Sequence, residues 1–231
     1  MNKFDETRLI IGIIAISLLI IYLVFKTFNW KRKITTKFIT RTAIFASISI
    51  VLYIAPGLKF PLPFFPSFLE LHFDEIPLLI AGFAYGPWSG IFALLIKTIV
   101  KLPFSNTMYV GELADFIYSL AFIFPASLIY KKKRSFKGVL IALGVGTIAQ
   151  LIVSSVVTTY LILDFYMLIM NFPKEAIMGA IHASGINIDS LGLPFLFAVA
   201  LPFNAFKDFI IIILTLLLYK RIHKFVEKVI D

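Results

Sequence analysis

The residues best suited to chemistry lie at the start of the last hydrophobic helix, in the run Leu201-Pro202-Phe203-Asn204-Ala205-Phe206-Lys207-Asp208. Proline fits the first turn of a helix, where its missing N–H would have no partner in any case. Asn204 and Lys207 then share a face, because they are three residues apart. Polar groups at membrane depth are costly unless something polar meets them, although both side chains could simply reach the membrane surface. We interpret them as the floor of a ligand site.

The neighbouring polar residues indicate the kind of ligand. An asparagine amide can pair with a ring edge that alternates C=O and N–H, and a lysine can donate to a ring carbonyl. The hydroxyl of Thr158 is predicted at the same depth. Glu112 and Asp115 lie three residues apart near the outer end of their helix. They could accept hydrogen bonds from a hydroxylated ligand or complement the helix dipole, and both interpretations stay open. These residue types predict a flat heterocycle with a polar tail.

The composition defines the class of protein. The 231 residues are 60% hydrophobic and 15% charged, with a mean hydropathy of +0.95, which indicates a polytopic protein of the lipid bilayer. Basic residues flank the hydrophobic runs, so we attribute the net charge of +9 to membrane topology and expect no nucleic acid. The chain has no cysteine, and His72, His182 and His223 lack metal-ligand spacing, so we expect no metal. No catalytic grouping or phosphate loop appears, which favours a binding protein over an enzyme.

Charge and hydropathy also predict the topology. Ile10–Phe25 is an apolar run with its stronger basic flank after it, typical of an uncleaved anchor with the N-terminus outside. The basic stretches 31–41 and 131–134 should both be cytoplasmic, so an even number of crossings separates them. We therefore divide Ile76–Val100 at Gly86-Pro87 into two short antiparallel helices. The predicted all-α organisation is an N-terminal transmembrane anchor (1–30), a basic cytoplasmic linker (31–41), a six-helix membrane core (42–225) and a cytoplasmic tail (226–231).

Three further segments have features of their own. Pro56–Phe73 is rich in proline and phenylalanine, so it should fold onto the bundle, as a lid over a pocket or as a static plug. The first core span, Thr42–Ala55, carries Ala43 and Ser47 at a spacing that suits internal packing or a partner interface. Asp74 should cap the next helix. The function of the outer segment 164–194 is not readable, although a short helix is expected around 175–182.

Four stretches resemble the riboflavin-specific S component of energy-coupling factor (ECF) transporters. They are the aromatic-proline loop with Phe73-Asp74-Glu75-Ile76-Pro77, the Tyr85-Gly86-Pro87 break with Gly90, Val110-Gly111-Glu112-Leu113-Ala114-Asp115-Phe116, and Leu201-Pro202-Phe203-Asn204-Ala205-Phe206-Lys207. Together they lie within residues 42–225. The resemblance implies a multi-pass subunit of a prokaryotic plasma membrane. The basic flanks predict an N-terminus outside and a C-terminus in the cytoplasm. Such a subunit would capture riboflavin as a transported ligand, not a cofactor, and act with a membrane T component and two cytosolic ATPases that hydrolyse ATP.

The resemblance also assigns residues. Asn204 and Lys207 would hold the isoalloxazine ring, and Phe68, Leu69 and Glu70 would line the site. Ala43 and Ser47 would dock the T component. Thr158 departs from the pattern, because many relatives have an asparagine there, and the N-terminal anchor is additional to the six helices. The alternatives are the same architecture serving another vitamin or heterocycle, a membrane enzyme that uses Glu112, Asp115 and His72, and a channel.

Overall fold

The computed structural model describes residues 35–105 and 107–230, so the anchor predicted at Ile10–Phe25 lies outside the described residues. The described chain is mainly helical, and five of its helical stretches are long and apolar enough to cross a membrane. The helices are α1 (Thr36–Ile54), α2 (Glu75–Tyr85), α3 (Pro87–Lys101), α4 (Val110–Lys132), α5 (Phe136–Val157), α6 (Leu163–Ile169), α7 (Lys174–Ala183), α8 (Leu193–Phe195) and α9 (Leu201–Ile230). A 3₁₀ turn spans Leu102–Phe104, and two π-helical turns, π1 and π2, span Thr158–Ile162 and Leu196–Ala200.

The predicted division of Ile76–Val100 at Gly86-Pro87 is confirmed. α2 ends at Tyr85, Gly86 adopts a φ of +94°, and Pro87 begins α3. A positive φ suits glycine, and proline suits the first helical turn. The two helices pack closely, because a Cβ at Gly90 would lie 3.0 Å from the carbonyl oxygen of Leu78. The residues of α2 from Glu75 to Ala84 are all buried, so this short helix lies inside the bundle.

Several helices extend beyond the ends predicted for them. α1 begins at Thr36, so residues 36–41 of the predicted linker are helical. α9 continues to Ile230 and includes most of the predicted tail. The helix of α5 continues through π1 and α6 to Ile169, beyond the predicted end at Leu163. Asp74 precedes α2 but makes no side-chain capping bond, because its carboxylate faces His72 and Lys97 instead.

The proline-rich loop contains a small antiparallel sheet. Strand β1 (Lys59–Pro61) pairs with strand β2 (Glu70–His72), with Phe60 opposite Leu71. Between the strands, the Phe65 ring packs edge-on against Phe203 of α9, with 5.3 Å between centroids. The loop therefore folds onto the bundle through Phe65, whereas Phe60, Phe64 and Phe68 are exposed.

Candidate functional site

A cavity of about 190 Å³ opens between the proline-rich loop, π1, π2 and helices α4 and α9. Its wall includes all eight residues that the sequence suggested for ligand binding: Phe68, Leu69, Glu70, Glu112, Asp115, Thr158, Asn204 and Lys207. The structure thus brings together residues that are up to 139 positions apart in the chain (207 minus 68). Their role in binding stays a prediction.

Asn204 is fixed by its own helix. Its Nδ2 donates to the Ala200 carbonyl oxygen at 2.8 Å, and the side chain is buried. Ala200 is the last residue of π2. One amide N–H is therefore engaged, while Oδ1 and the second N–H stay available. A planar ligand edge with one donor and one acceptor matches what remains.

Lys207 is held by two groups at the cavity floor. Its Nζ lies 3.3 Å from Glu75 Oε1 and 3.3 Å from His72 Nε2. Glu75 also accepts from the Ser119 hydroxyl at 2.9 Å. An ammonium carries three N–H groups, so these contacts leave one for a ligand acceptor. The lysine is both neutralised by Glu75 and aimed into the cavity.

Asp115 belongs to a buried network of ionic groups. Its Oδ2 accepts from Lys97 Nζ at 2.7 Å and from Lys101 Nζ at 3.1 Å, and its Oδ1 lies 3.6 Å from His72 Nε2. Lys101 Nζ also lies 3.1 Å from the centroid of the Tyr53 ring, a cation–π contact. Asp115 is therefore committed to two ammonium groups, which limits what it can offer a ligand.

Asp74 extends this network to the loop. It accepts from Lys97 and from Nδ1 of His72. Burial alone would raise the pKa of Asp74, but Lys97 and His72 outweigh it and hold that pKa well below its ordinary value. If His72 donates its Nδ1–H to Asp74, its Nε2 can accept from Lys207.

His72, Asp74 and Asp115 have ligand atoms within 4.8 Å of one another, a composition that suits a metal ion. The linear spacing of the histidines did not suggest this cluster. Both carboxylates, however, face ammonium groups of Lys97 or Lys101. Because these cations already neutralise the carboxylates, the cluster acts as an ion-pair network and does not fit a metal site.

Glu112 holds the short loop before α4. Its Oε2 accepts from the Ser105 hydroxyl at 2.6 Å and the Thr107 hydroxyl at 3.1 Å. The Ser105 Oγ in turn accepts from the Tyr109 backbone N–H at 2.9 Å, where φ is +70°. Glu112 therefore stabilises an unusual backbone conformation at the cavity rim, a role that neither sequence interpretation included.

The remaining predicted residues lie on opposite walls. The Thr158 hydroxyl lies 2.7 Å from the hydroxyl of Tyr118, so the two form one polar patch. Across the cavity, Glu70 pairs with Lys59 at 2.7 Å across the small sheet. Phe68 and Leu69 precede β2 and complete the apolar part of the wall.

Sequence reasoning missed most of the supporting residues. Lys97 lies within the apolar stretch Ile76–Val100 and Lys101 directly follows it, and a lysine pair four residues apart in such a place signals a buried partner. No local pattern marked Tyr53 or Tyr118, because their partners are distant in the chain.

These features define a helical membrane protein with a partly polar cavity inside its bundle. A family model described as "ECF transporter, substrate-specific component" matches residues 37–219, and the chain belongs to that family, whose members are the substrate-binding components of transporters.

Known relatives agree with this assignment. Riboflavin transporter RibU of Staphylococcus aureus (strain TCH60) is 32% identical over 202 residues, covering 87% of this chain and 100% of RibU. Riboflavin transporter FmnP of Bacillus subtilis (strain 168) is 28% identical over 193 residues, covering 82% of this chain and 95% of FmnP. A solved S component of a bacterial ECF transporter superimposes with a TM-score of 0.65 at 30% identity, covering 82% of this chain and 97% of that one. The likeness includes the fold as well as the sequence.

Proposed function

We propose that this protein is the riboflavin-binding subunit of an ECF-type uptake transporter. The observation that carries the proposal is the pair Asn204 and Lys207, which offers a planar donor and acceptor beside a single free ammonium N–H. That arrangement suits the alternating C=O and N–H groups of a flavin ring edge. The names of the relatives support riboflavin as the ligand.

Glu112 and the Thr158–Tyr118 pair would meet the hydroxylated tail of the flavin, while Phe68 and Leu69 would contact the ring. Asp115 would act mainly by fixing the surrounding charges, because its oxygens already face Lys97 and Lys101. The protein would bind its ligand without transforming it. It would lie in a prokaryotic plasma membrane with its C-terminus cytoplasmic, since the basic groups Lys131–Arg134 and Lys220–Arg221 each follow a long apolar stretch of sequence and basic flanks favour the cytoplasm.

Flavin fluorescence quenching by the purified protein tests the proposal. Asn204→Ala and Lys207→Met should each weaken riboflavin binding roughly 5- to 150-fold, as expected for the loss of a buried polar contact. Exposed Asn187→Ala and Lys137→Met are matched controls that should bind like the wild type. Circular dichroism should show that all four variants are folded. Unchanged affinity in both folded cavity variants would refute the site.

The alternative, another vitamin or heterocycle, is favoured by one observation. Thr158 and Tyr118 present a pair of hydroxyls to the cavity, whereas the resemblance leads us to expect an asparagine there. A competition panel of vitamins and nucleobases against bound riboflavin separates the two ligands. A compound that displaces riboflavin at lower concentration than riboflavin itself would replace it as the proposed ligand.

The T component and two cytosolic ATPases would supply the energy, and we propose that the T component docks on α1. Ala43 and Ser47 are exposed on that helix, while Thr42, Ala46 and Ser49 face the bundle. The Ser47 hydroxyl donates to the Ala43 carbonyl oxygen at 2.9 Å, which leaves a surface of small groups. Ala43→Phe should abolish co-purification with a co-expressed T component, whereas the neighbouring Ile44→Phe should not. Equal recovery with both variants would argue against this interface.

A further inference from the structure

The two π-helical turns enclose residues 163–195, which include the predicted segment 164–194 and are called the outer segment from here on. A π-helical turn at each end joins this segment to the bundle. π1 leads into it from α5, and π2 leads from it into α9. In each turn the defining hydrogen bond spans five residues: the Leu163 N–H donates to the Thr158 carbonyl, and the Leu201 N–H donates to the Leu196 carbonyl. π-Helical turns are rare, occur often at functional sites and allow a helix to bend. Two of them at the ends of one segment form a matched pair.

The outer segment has its own small apolar core. Ile177 and Ile181 of α7 are buried together with Ile188 and Phe195. Leu69 of the proline-rich loop packs against this cluster from outside the segment. Two other buried members of the cluster, Val199 and Ala200, belong to π2. Because the rest of the buried cluster lies within the outer segment, the segment can move as a unit and keep most of these contacts.

Both π turns also contribute to the cavity wall. Thr158 and Ile162 of π1, Ala200 of π2, and Leu163 and Tyr166 at the start of the outer segment all line the cavity. Each turn is held by a cavity side chain. Tyr118 contacts the Thr158 hydroxyl at 2.7 Å, and Asn204 donates to the Ala200 carbonyl at 2.8 Å. A ligand that touches Thr158 and Asn204 therefore acts on both turns at once.

We propose that the outer segment is a lid that moves on π1 and π2 away from the proline-rich loop to admit the ligand, and closes when the ligand is bound. The two parts meet over the cavity at Leu69. They also meet at a groove between the loop and α7, whose walls include Ser67 and Ala183. The proposal deepens the proposed function, because it rests on the cavity being the riboflavin site.

A covalent cross-link across the groove tests whether the outer segment moves as a lid. The chain has no cysteine, so Ser67→Cys/Ala183→Cys introduces a unique pair on opposite sides of the groove. Bridging it with a short, cleavable bis-maleimide should slow riboflavin association roughly tenfold or more in stopped-flow fluorescence. Bridging it after riboflavin is bound should slow dissociation to a similar extent. Cleaving the bridge should restore both rates, and each single-cysteine variant treated in the same way should be unaffected.

Rates within about twofold of the unbridged protein would overturn the lid, because motion of the outer segment would then not limit access. Failure of the reagent to bridge the pair, when both single cysteines react, would also overturn it, since the groove walls would not be neighbours. If riboflavin does not bind even the unbridged protein, the proposed function fails instead.

Hydrogen exchange on the unmodified chain gives a second measurement. Riboflavin should slow exchange at the amides of Leu163 and Leu201, which donate the π-helical hydrogen bonds, and along α7. Exchange near the inner end of the bundle, at Tyr130, should not change. Protection that is confined to cavity residues of α4 and α9, without any change in α7, would contradict the lid.

Discussion

Asp115→Asn removes the carboxylate that Lys101 shares with Lys97. Within the part of the chain that the structure describes, Asp115 is the carboxylate paired with Lys101, whereas Lys97 retains Asp74. Removing one partner from a buried ion pair costs about 3–5 kcal/mol, because the remaining charge is left uncompensated. At about 2–4 °C per kcal/mol for a chain of this size, the apparent melting temperature should fall by roughly 6–20 °C.

The assay is thermal unfolding in detergent followed by circular dichroism, without ligand. Asp189→Asn makes the same chemical change at an exposed position, and its effect should stay within about 0.5 kcal/mol. Lys101→Met/Asp115→Asn should be more stable than the sum of the single losses predicts, by about 1–3 kcal/mol, because both charges then leave together. Strictly additive losses, or a variant as stable as Asp189→Asn, would refute the network as described.

Two further predictions concern packing and a buried hydrogen bond, each measured by the same thermal assay. Gly90→Ala should lower the free energy of unfolding by about 1–3 kcal/mol, because the new Cβ would lie 3.0 Å from the Leu78 carbonyl oxygen. Gly144→Ala is the control: a Cβ there meets no neighbouring atom within 4 Å, so this change should be neutral or stabilising. Tyr130→Phe should cost about 0.5–1.5 kcal/mol by removing the hydrogen bond between its hydroxyl and that of Tyr219, 2.8 Å away. A Tyr130→Phe variant as stable as the wild type would contradict this account.

The sequence predicts well what depends on local pattern. Gly86-Pro87 could be recognised as a break because glycine and proline restrict the backbone in known ways. Asn204 and Lys207 could be placed on one face because helical spacing sets the direction of side chains. The aromatic loop could be placed against the bundle because exposed phenylalanines are unfavourable.

Long-range partnerships could not be predicted in the same way. Lys97 and Asp115 are 18 residues apart and on different helices, so no periodicity connects them. The two π-helical turns are not marked by any particular residue type or spacing. Asp74 has the residue type of a helix cap, but the buried Lys97 ammonium attracts its carboxylate more strongly than the backbone N–H groups do. The end of α9 was missed because its basic residues also favour helix.

The lysines of α3 have a consequence for how the chain enters the membrane. A lysine buried in a membrane helix is costly unless it is paired, and α3 carries Lys97 and Lys101 in its last turns. Their shared carboxylate, Asp115, lies on α4 and leaves the ribosome later. We therefore expect α3 to wait at the membrane surface until α4 emerges, so that the two helices insert together as a hairpin with their charges already paired.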